Sequence, residues 1–261
     1  RSFLRFLPDK NLEAALSNSS QKYYKKTWGR FQRFTKTTLD LPSLPATAHT
    51  VALYMTQLRA AGIKSSTVRS HVSIIGYYHK INGFDDPTQA FLIKKLFISQ
   101  QKTDKPAAIR KPITRVILEK IIEAINLSDM RNYDKKLFAA LFTLMYYAAL
   151  RISEVCKVPG SSHTLQLEQI SIIRAHQSEH IKITFTSFKH SSDKKLTKLL
   201  IHPTRSGACP VQAYKCYLQH RGKKEGPAFC WKDLKPLSRN KVLEVLNQML
   251  NRNNLNAQQY K

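Results

Sequence analysis

The sequence predicts a mainly α-helical protein in two parts: an N-terminal four-helix domain, then a mainly helical domain with a small antiparallel sheet. Three observations carry this. Apolar residues recur at helical spacing through residues 20–100, a polar stretch punctuated by prolines interrupts the pattern, and two later runs alternate apolar and polar side chains about a polar turn.

In the first helix Tyr24, Trp28 and Phe31 recur at i, i+4 and i+7, a core stripe, while Lys22, Lys26, Arg30 and Arg33 line another face. The second helix carries Val51, Tyr54, Met55 and Leu58. The third opens at IKSSTVRSH, where Ser65 or Ser66 supplies a cap, continues through Val68, Val72 and Ile75, and ends at Gly83. Pro87 and Thr88 start the fourth, which includes Phe91, Leu92 and Leu96. The stretch Ser99–Pro112 has two prolines and few apolar residues. It reads as an inter-domain linker, placing the domains at 1–100 and 113–261 with residues 101–112 between them.

Beyond the linker, Thr114 caps a helix through Ile125, with Ile113 and Leu118 placed as a hydrophobic staple. A second helix is expected over Asp134–Val155, and a strand over 164–173. Ile181, Ile183 and Phe185 alternate with Lys182 and Thr184, and Leu196–His202 mirrors them across the polar KHSSDKK, so the pair is a hairpin. Pro210 opens a helix that Gly222 closes, and Ser238 caps another through Met249.

The 261 residues are 42% hydrophobic, enough to bury a core. The 43 Lys and Arg against 17 Asp and Glu leave a net charge of +26. A chain this basic repels itself unless a polyanion neutralises it, and nucleic acid is the commonest one inside cells. No basic amphipathic membrane helix or lipidation signal is read, and the longest apolar run, Leu137–Leu150, falls short of the ~20 residues a membrane span needs. Cys156, Cys209, Cys216 and Cys230 lack zinc spacing and are too few to staple a secreted domain of this size, so a reducing, intracellular setting is expected. No metal site is expected. Arg1, where a methionine would begin a chain, leads to the expectation that residues precede it.

Two places point to a phosphate. Leu137, Leu141, Leu144 and Ala148 form one helical stripe and Arg151 falls on it at the next step, which would put a guanidinium on a buried face. A lone buried charge is very costly. Either Arg151 pairs locally with Glu154, three residues on, or it clamps a phosphate, whose oxygens a guanidinium matches bidentately. The other place is the start of the third helix, where Lys64 stands beside Ser65, Ser66 and Thr67, with Arg69 and His71 one turn on. Exposed amides at a helix N-terminus favour a phosphate. The plainer alternatives are solvated charged faces and hydroxyls that merely cap.

AALRISEV at 148–155 resembles the first active-site box of the tyrosine recombinases and integrases, including their Crypton-like mobile-element branch. GACPVQAYKCYLQHR at 207–221, GPAF after it, LSRNKVLEVLNQML at 237–250, IKSSTVRSH and GYYHKINGFDDP follow that family's order, so the resemblance covers about residues 20–261. It implies a core-binding helical domain on one DNA face and a catalytic-type domain on the other, closing as a C-shaped clamp. By resemblance Arg151 is the first catalytic arginine, Glu154 its support, and Lys189 the hairpin lysine that acts as general acid, with Lys194 and Lys195 as alternatives. Ala148-Ala149 depart from the family's frequent Thr-Gly, so the turn there is expected to be tighter or shifted.

The family's chemistry is attack of a tyrosine hydroxyl on phosphorus, giving a 3′-phosphotyrosyl intermediate, with no metal or nucleotide cofactor. Its second box, His-x-x-Arg on a helix, is expected beyond the 238–250 helix, and the chain is read as ending short of it, so that no residue here is assigned as nucleophile. His202-Pro203-Thr204-Arg205 spells that motif, but it follows a strand and holds a proline, and Tyr260 lies where packing is expected to be thin. The expected function is duplex DNA binding within a site-specific recombinase, inactive for cleavage as it stands. The expected setting is with chromosomal DNA, in the nucleus of a eukaryotic host, and as a homo-oligomer on DNA, a tetramer by resemblance. The alternatives are a domesticated, non-catalytic DNA-binding protein and a basic RNA-binding or chromatin protein.

Overall fold

The computed structural model describes residues 15–106, 110–158, 164–175, 177–185 and 196–260. The chain divides into two compact units, Arg1–Ala107 and Ala108–Lys261.

In the first unit α1 spans Asn18–Phe34, α2 Ala48–Ala60, α3 Ser65–Ile81 and α4 Phe91–Lys102. Ser17 caps α1 by accepting from the Ser20 N–H at 3.3 Å, and Thr47 caps α2 by accepting from Thr50 N–H at 3.1 Å. Trp28, Phe31, Val51, Tyr54, Met55, Val68, Val72, Ile75 and Ile93 form one core, with Leu58 and Leu96 packed against it, while Tyr24 of the expected first stripe lies outside that core and Leu92 is exposed. Three boundaries differ from expectation. Neither Ser65 nor Ser66 caps α3; Lys64 holds the cap position without a side-chain bond, and Ser65 is the first helical residue. Pro87 and Thr88 belong to a separate 3-10 turn, Pro87–Gln89, and α4 begins at Phe91, whose ring is 73% exposed while Ile93 is buried. The expected linker is also shorter at its start, because α4 runs to Lys102.

In the second unit α5 spans Arg115–Asn126 and α6 Asn132–Tyr147. Thr114 Oγ1 accepts from Ile117 N–H at 3.4 Å, and Ile113 packs on the core that holds Leu118, as a staple should. The helix expected over 134–155 is two helices: α6 stops at Tyr147 and a one-turn α7, Ile152–Val155, follows. Strands β1 (Ile170–Ala175), β2 (Ser178–Phe185) and β3 (Thr197–Ile201) form one antiparallel sheet in the order β1-β2-β3. The strand expected over 164–173 therefore lies further on, because Leu167–Gln169 is a 3-10 turn. The expected hairpin pairs Ile181 with Ile201 and Ile183 with Leu199, which puts Ile181, Ile183 and Ile201 on the buried face. Helix α8 spans Pro210–Arg221 and is closed by Gly222 at φ +79°, and α9 spans Arg239–Arg252, capped by Ser238, which accepts from Lys241 N–H.

Candidate nucleic-acid interface

On α1, Thr27, Trp28, Phe31 and Phe34 are buried, and Lys22, Lys26, Arg30 and Arg33 are all exposed. One amphipathic helix thus presents a cationic row because its other face fills the core. Trp28 stacks on Tyr78 of α3 with ring centroids 4.5 Å apart, fixing the two helices against each other.

At the start of α3, Lys64, Ser66, Thr67 and Arg69 are exposed. The Arg69 guanidinium lies 5.1 Å from the centroid of the Phe97 ring, which holds it near the surface of α4. Two expected contact residues are corrected. His71 is 3% exposed, and its Nδ1 lies 3.1 Å from the Tyr54 hydroxyl, so it is a core residue on the inner face of α3 and is not presented to a groove. Burial, with the nearby Arg30 charge, holds the His71 imidazole below its usual pKa. It is therefore neutral at pH 7, able to accept from Tyr54, whose own hydroxyl burial pushes up to about 12. Ser65 is buried as well, and the anion at its amide is internal: Asp104 Oδ2 accepts from the Ser65 N–H at 3.1 Å and from the Ser65 hydroxyl. The phosphate place expected at this helix N-terminus is already held by a carboxylate. Sequence reasoning missed Asp104 because it lies 39 residues from Ser65, beyond any local capping pattern.

In the second unit the stop between α6 and α7 sets the position of Arg151. The last turn of α6 closes with Leu150 N–H donating to Met145 O at 3.0 Å and Ala149 N–H to Tyr146 O at 3.4 Å, while Ala149 takes a left-handed φ of +49°. This is the Schellman arrangement, which glycine ordinarily supplies. It turns the chain so that Arg151 leaves the apolar stripe. The side chain is 60% exposed, a correction to the buried face expected for it. Tyr146, at the end of the same apolar run, is 38% exposed.

Glu154 holds Arg151 twice. Its Oε2 accepts from the Arg151 backbone N–H at 2.7 Å, and its Oε1 lies 3.3 Å from Arg151 Nη1. The carboxylate caps α7 through that backbone bond and is itself only 19% exposed. Behind it, Leu165 N–H donates to Glu154 O at 2.8 Å and Lys157 N–H to Leu237 O at 3.0 Å, pinning the turn to the segment that starts α9. A guanidinium most of which is open to solvent, on a turn held by these backbone bonds, is available to an anion arriving from outside.

Lys189, Lys194 and Lys195 lie outside the described residues, although the strands that flank them are in place. His202–Arg205 follows β3 and is not helical, as its proline requires. Tyr260, expected to lack packing, is half-buried in the 3-10 turn Ala257–Tyr260 and packs on the core, and the turn is tied back where Lys111 N–H donates to Gln259 O at 2.6 Å. All four cysteines are free thiols. Among the described residues no group of three or more His, Cys, Asp or Glu could hold a metal ion, and no helix is long and apolar enough to cross a membrane.

No protein-family model matches the chain, and no curated protein does. Solved structures do. The Tn1549 transposon integrase in complex with a circular intermediate DNA superposes with a TM-score of 0.57 and 11% identity, over 95% of this chain and 77% of that one. The same integrase with transposon right end DNA gives 0.55 and 13%, again over 95% and 77%. A lambda integrase dimer bound to a COC′ core site gives 0.56 and 12%, over 95% of this chain and 61% of that one. The chain thus spans less than two thirds of the lambda integrase chain. It has the fold of these integrases, the mainly helical architecture with one small antiparallel sheet that the sequence resemblance implied.

Proposed function

We propose that this chain binds duplex DNA as part of a tyrosine-recombinase-type protein. In this reading the α1 row Lys22, Lys26, Arg30 and Arg33, with Lys64, Ser66, Thr67 and Arg69 of α3, contacts the sugar-phosphate backbone, and Arg151 takes the scissile phosphate. The observation that carries the proposal is Arg151 itself: in an integrase fold, the residue matched to the family's first arginine is turned outward by a left-handed residue and steadied by Glu154. The net charge of +26 and the fact that the neighbours named above were solved on DNA support the same partner. Lys189 is assigned as the general acid, and assembly of several copies on DNA follows from the same likeness.

The test is binding to duplex DNA by fluorescence anisotropy, with Arg151→Ala beside the parent chain. The exposed pair with Glu154 is worth about 0–1 kcal/mol, so melting should shift by no more than ~1 kcal/mol. Affinity for a duplex should fall about tenfold or more, since a charge-assisted contact to phosphate is lost. If melting collapses while affinity holds, Arg151 is a structural ion-pair partner and the proposal fails. Tighter binding to RNA than to duplex DNA at matched salt would also overturn it.

A further inference from the structure

We infer that Asp104 is a latch that ties the chain leaving the first unit to the start of α3, so that a pull on that outgoing chain is felt at Lys64, Ser66 and Thr67. The ends of three helices converge on this one carboxylate. From α3, Ser65 donates both its N–H, at 3.1 Å to Oδ2, and its hydroxyl. From the end of α2, Arg59 Nη1 lies 2.6 Å from Oδ1. Asp104 itself follows α4 by two residues. Arg59 fastens both flanks of the cluster: Nη1 also donates to Ile63 O at 2.8 Å, just before α3, and Nη2 donates to the Thr103 hydroxyl at 3.1 Å and to Gln100 O at 3.5 Å.

Little else holds this segment. Residues 103–106 read Thr-Asp-Lys-Pro, contribute no apolar side chain to the core, and are exposed except for Asp104. The local backbone bond, Asp104 N–H to Gln101 O, is long at 3.3 Å. A segment without buried apolar area stays ordered only through specific polar contacts. Here Thr103 is joined to Arg59 Nη2 and donates to Gln100 O at 3.0 Å, and across 104–106 the side-chain contacts are made by Asp104. The bonds from Ser65 and Arg59 also keep the carboxyl below its usual pKa, consistent with a charged, fully engaged group. Because the carboxylate grips the first turn of α3, the outgoing chain and the residues proposed to contact DNA are joined through it. This last consequence rests on the DNA-binding reading; the latch does not.

The experiment is amide hydrogen exchange on the full chain without DNA, comparing the parent with Asp104→Asn and Arg59→Lys. Asp104→Asn should speed exchange about tenfold at Ser65 and through 101–106, leaving the interiors of α2 and α3 within about twofold. Arg59→Lys keeps the charge but loses the fork to Thr103, and should give a smaller change confined to 101–106. No change at Ser65, or equal acceleration throughout α2–α4, would overturn the latch. With saturating duplex, the parent should gain protection both at Ser65 and in 101–106, and Asp104→Asn only in the first turn of α3. Equal protection patterns in the two would overturn the coupling. If the parent fails to bind duplex, the functional proposal fails while the DNA-free comparison still decides the latch.

Discussion

At Ala149 the backbone holds φ +49° with a side chain that disfavours it. A left-handed L-residue costs roughly 1–2 kcal/mol, and glycine removes that cost while adding up to about 1 kcal/mol of unfolded-chain entropy. Ala149→Gly should therefore raise stability by about 0.5–1 kcal/mol, read as a higher urea midpoint at unchanged slope. A β-branched residue at the same position should destabilise by more than that gain, since its χ1 crowding adds to the backbone strain. A neutral or destabilising Ala149→Gly would mean that the turn before Arg151 is not strained. The position also shows what a local reading can and cannot see. The resemblance marked Ala148-Ala149 as the place where the turn departs from the family, and the structure puts the left-handed residue there. The helical stripe, by contrast, predicts a buried face for Arg151, because two alanines give no stop signal and the apolar spacing runs straight through the break.

Among the elements, α3 is held from outside by the carboxylate of Asp86, which also caps the 3-10 turn Pro87–Gln89. Asp86 accepts from Thr88 N–H at 2.9 Å, Thr88 Oγ1 at 2.6 Å, Gln89 Nε2 at 3.2 Å and Lys80 Nζ at 3.0 Å. Burial pushes its carboxyl up, but the bonds from Thr88, Lys80 and Gln89 together outweigh that and hold it at about 2, below the ordinary 3.8. The carboxylate rests against Gly76, where an added Cβ would stand 2.7 Å from Oδ1. Gly76→Ala should accordingly cost about 1–3 kcal/mol, because the contact is with a side chain held by four bonds. The pH dependence has a definite sign. A carboxyl whose folded pKa is depressed stabilises fully above its unfolded value, and that stability is lost as pH falls from about 4 towards 2. Urea midpoints taken through that window should fall less steeply for Asp86→Asn than for the parent. Parallel curves would remove Asp86 from the acid transition.

Helix starts and stops were legible where one residue carries the signal: Thr114 and Ser238 as caps, Gly222 as a stop, and Ile181 and Ile183 in alternation. Relations across many residues were not. Asp104 at Ser65 is a tertiary choice of a carboxylate made across 39 residues, and no short window contains both partners. Asp86 and Gly76 are only ten residues apart, but neither helical nor strand spacing signals that they touch. His71 is a different case: its spacing from Val68 and Ile75 fits the buried stripe, and only its polar chemistry suggests the surface, a need that the Tyr54 hydroxyl meets inside the core.

For the molecule as a whole, the excess of 43 cationic over 17 acidic residues makes a prediction about salt that does not depend on which base pairs are read. Each phosphate neutralised releases counterion, so log K falls with log salt by about 0.9 per contact. If the four α1 cations touch phosphates, replacing Lys22, Lys26, Arg30 and Arg33 together with Gln should lower the slope by roughly three to four and weaken binding about equally on unrelated duplexes. Their side chains are exposed opposite the Trp28, Phe31 and Phe34 stripe, so the circular dichroism and the melting midpoint of the quadruple variant should stay near the parent's. Arg151→Ala should differ in kind, lowering the slope by about one. A quadruple variant that keeps the parent's slope would place the duplex on some other surface and leave α1 as an ordinary solvated face, even if the chain binds DNA tightly.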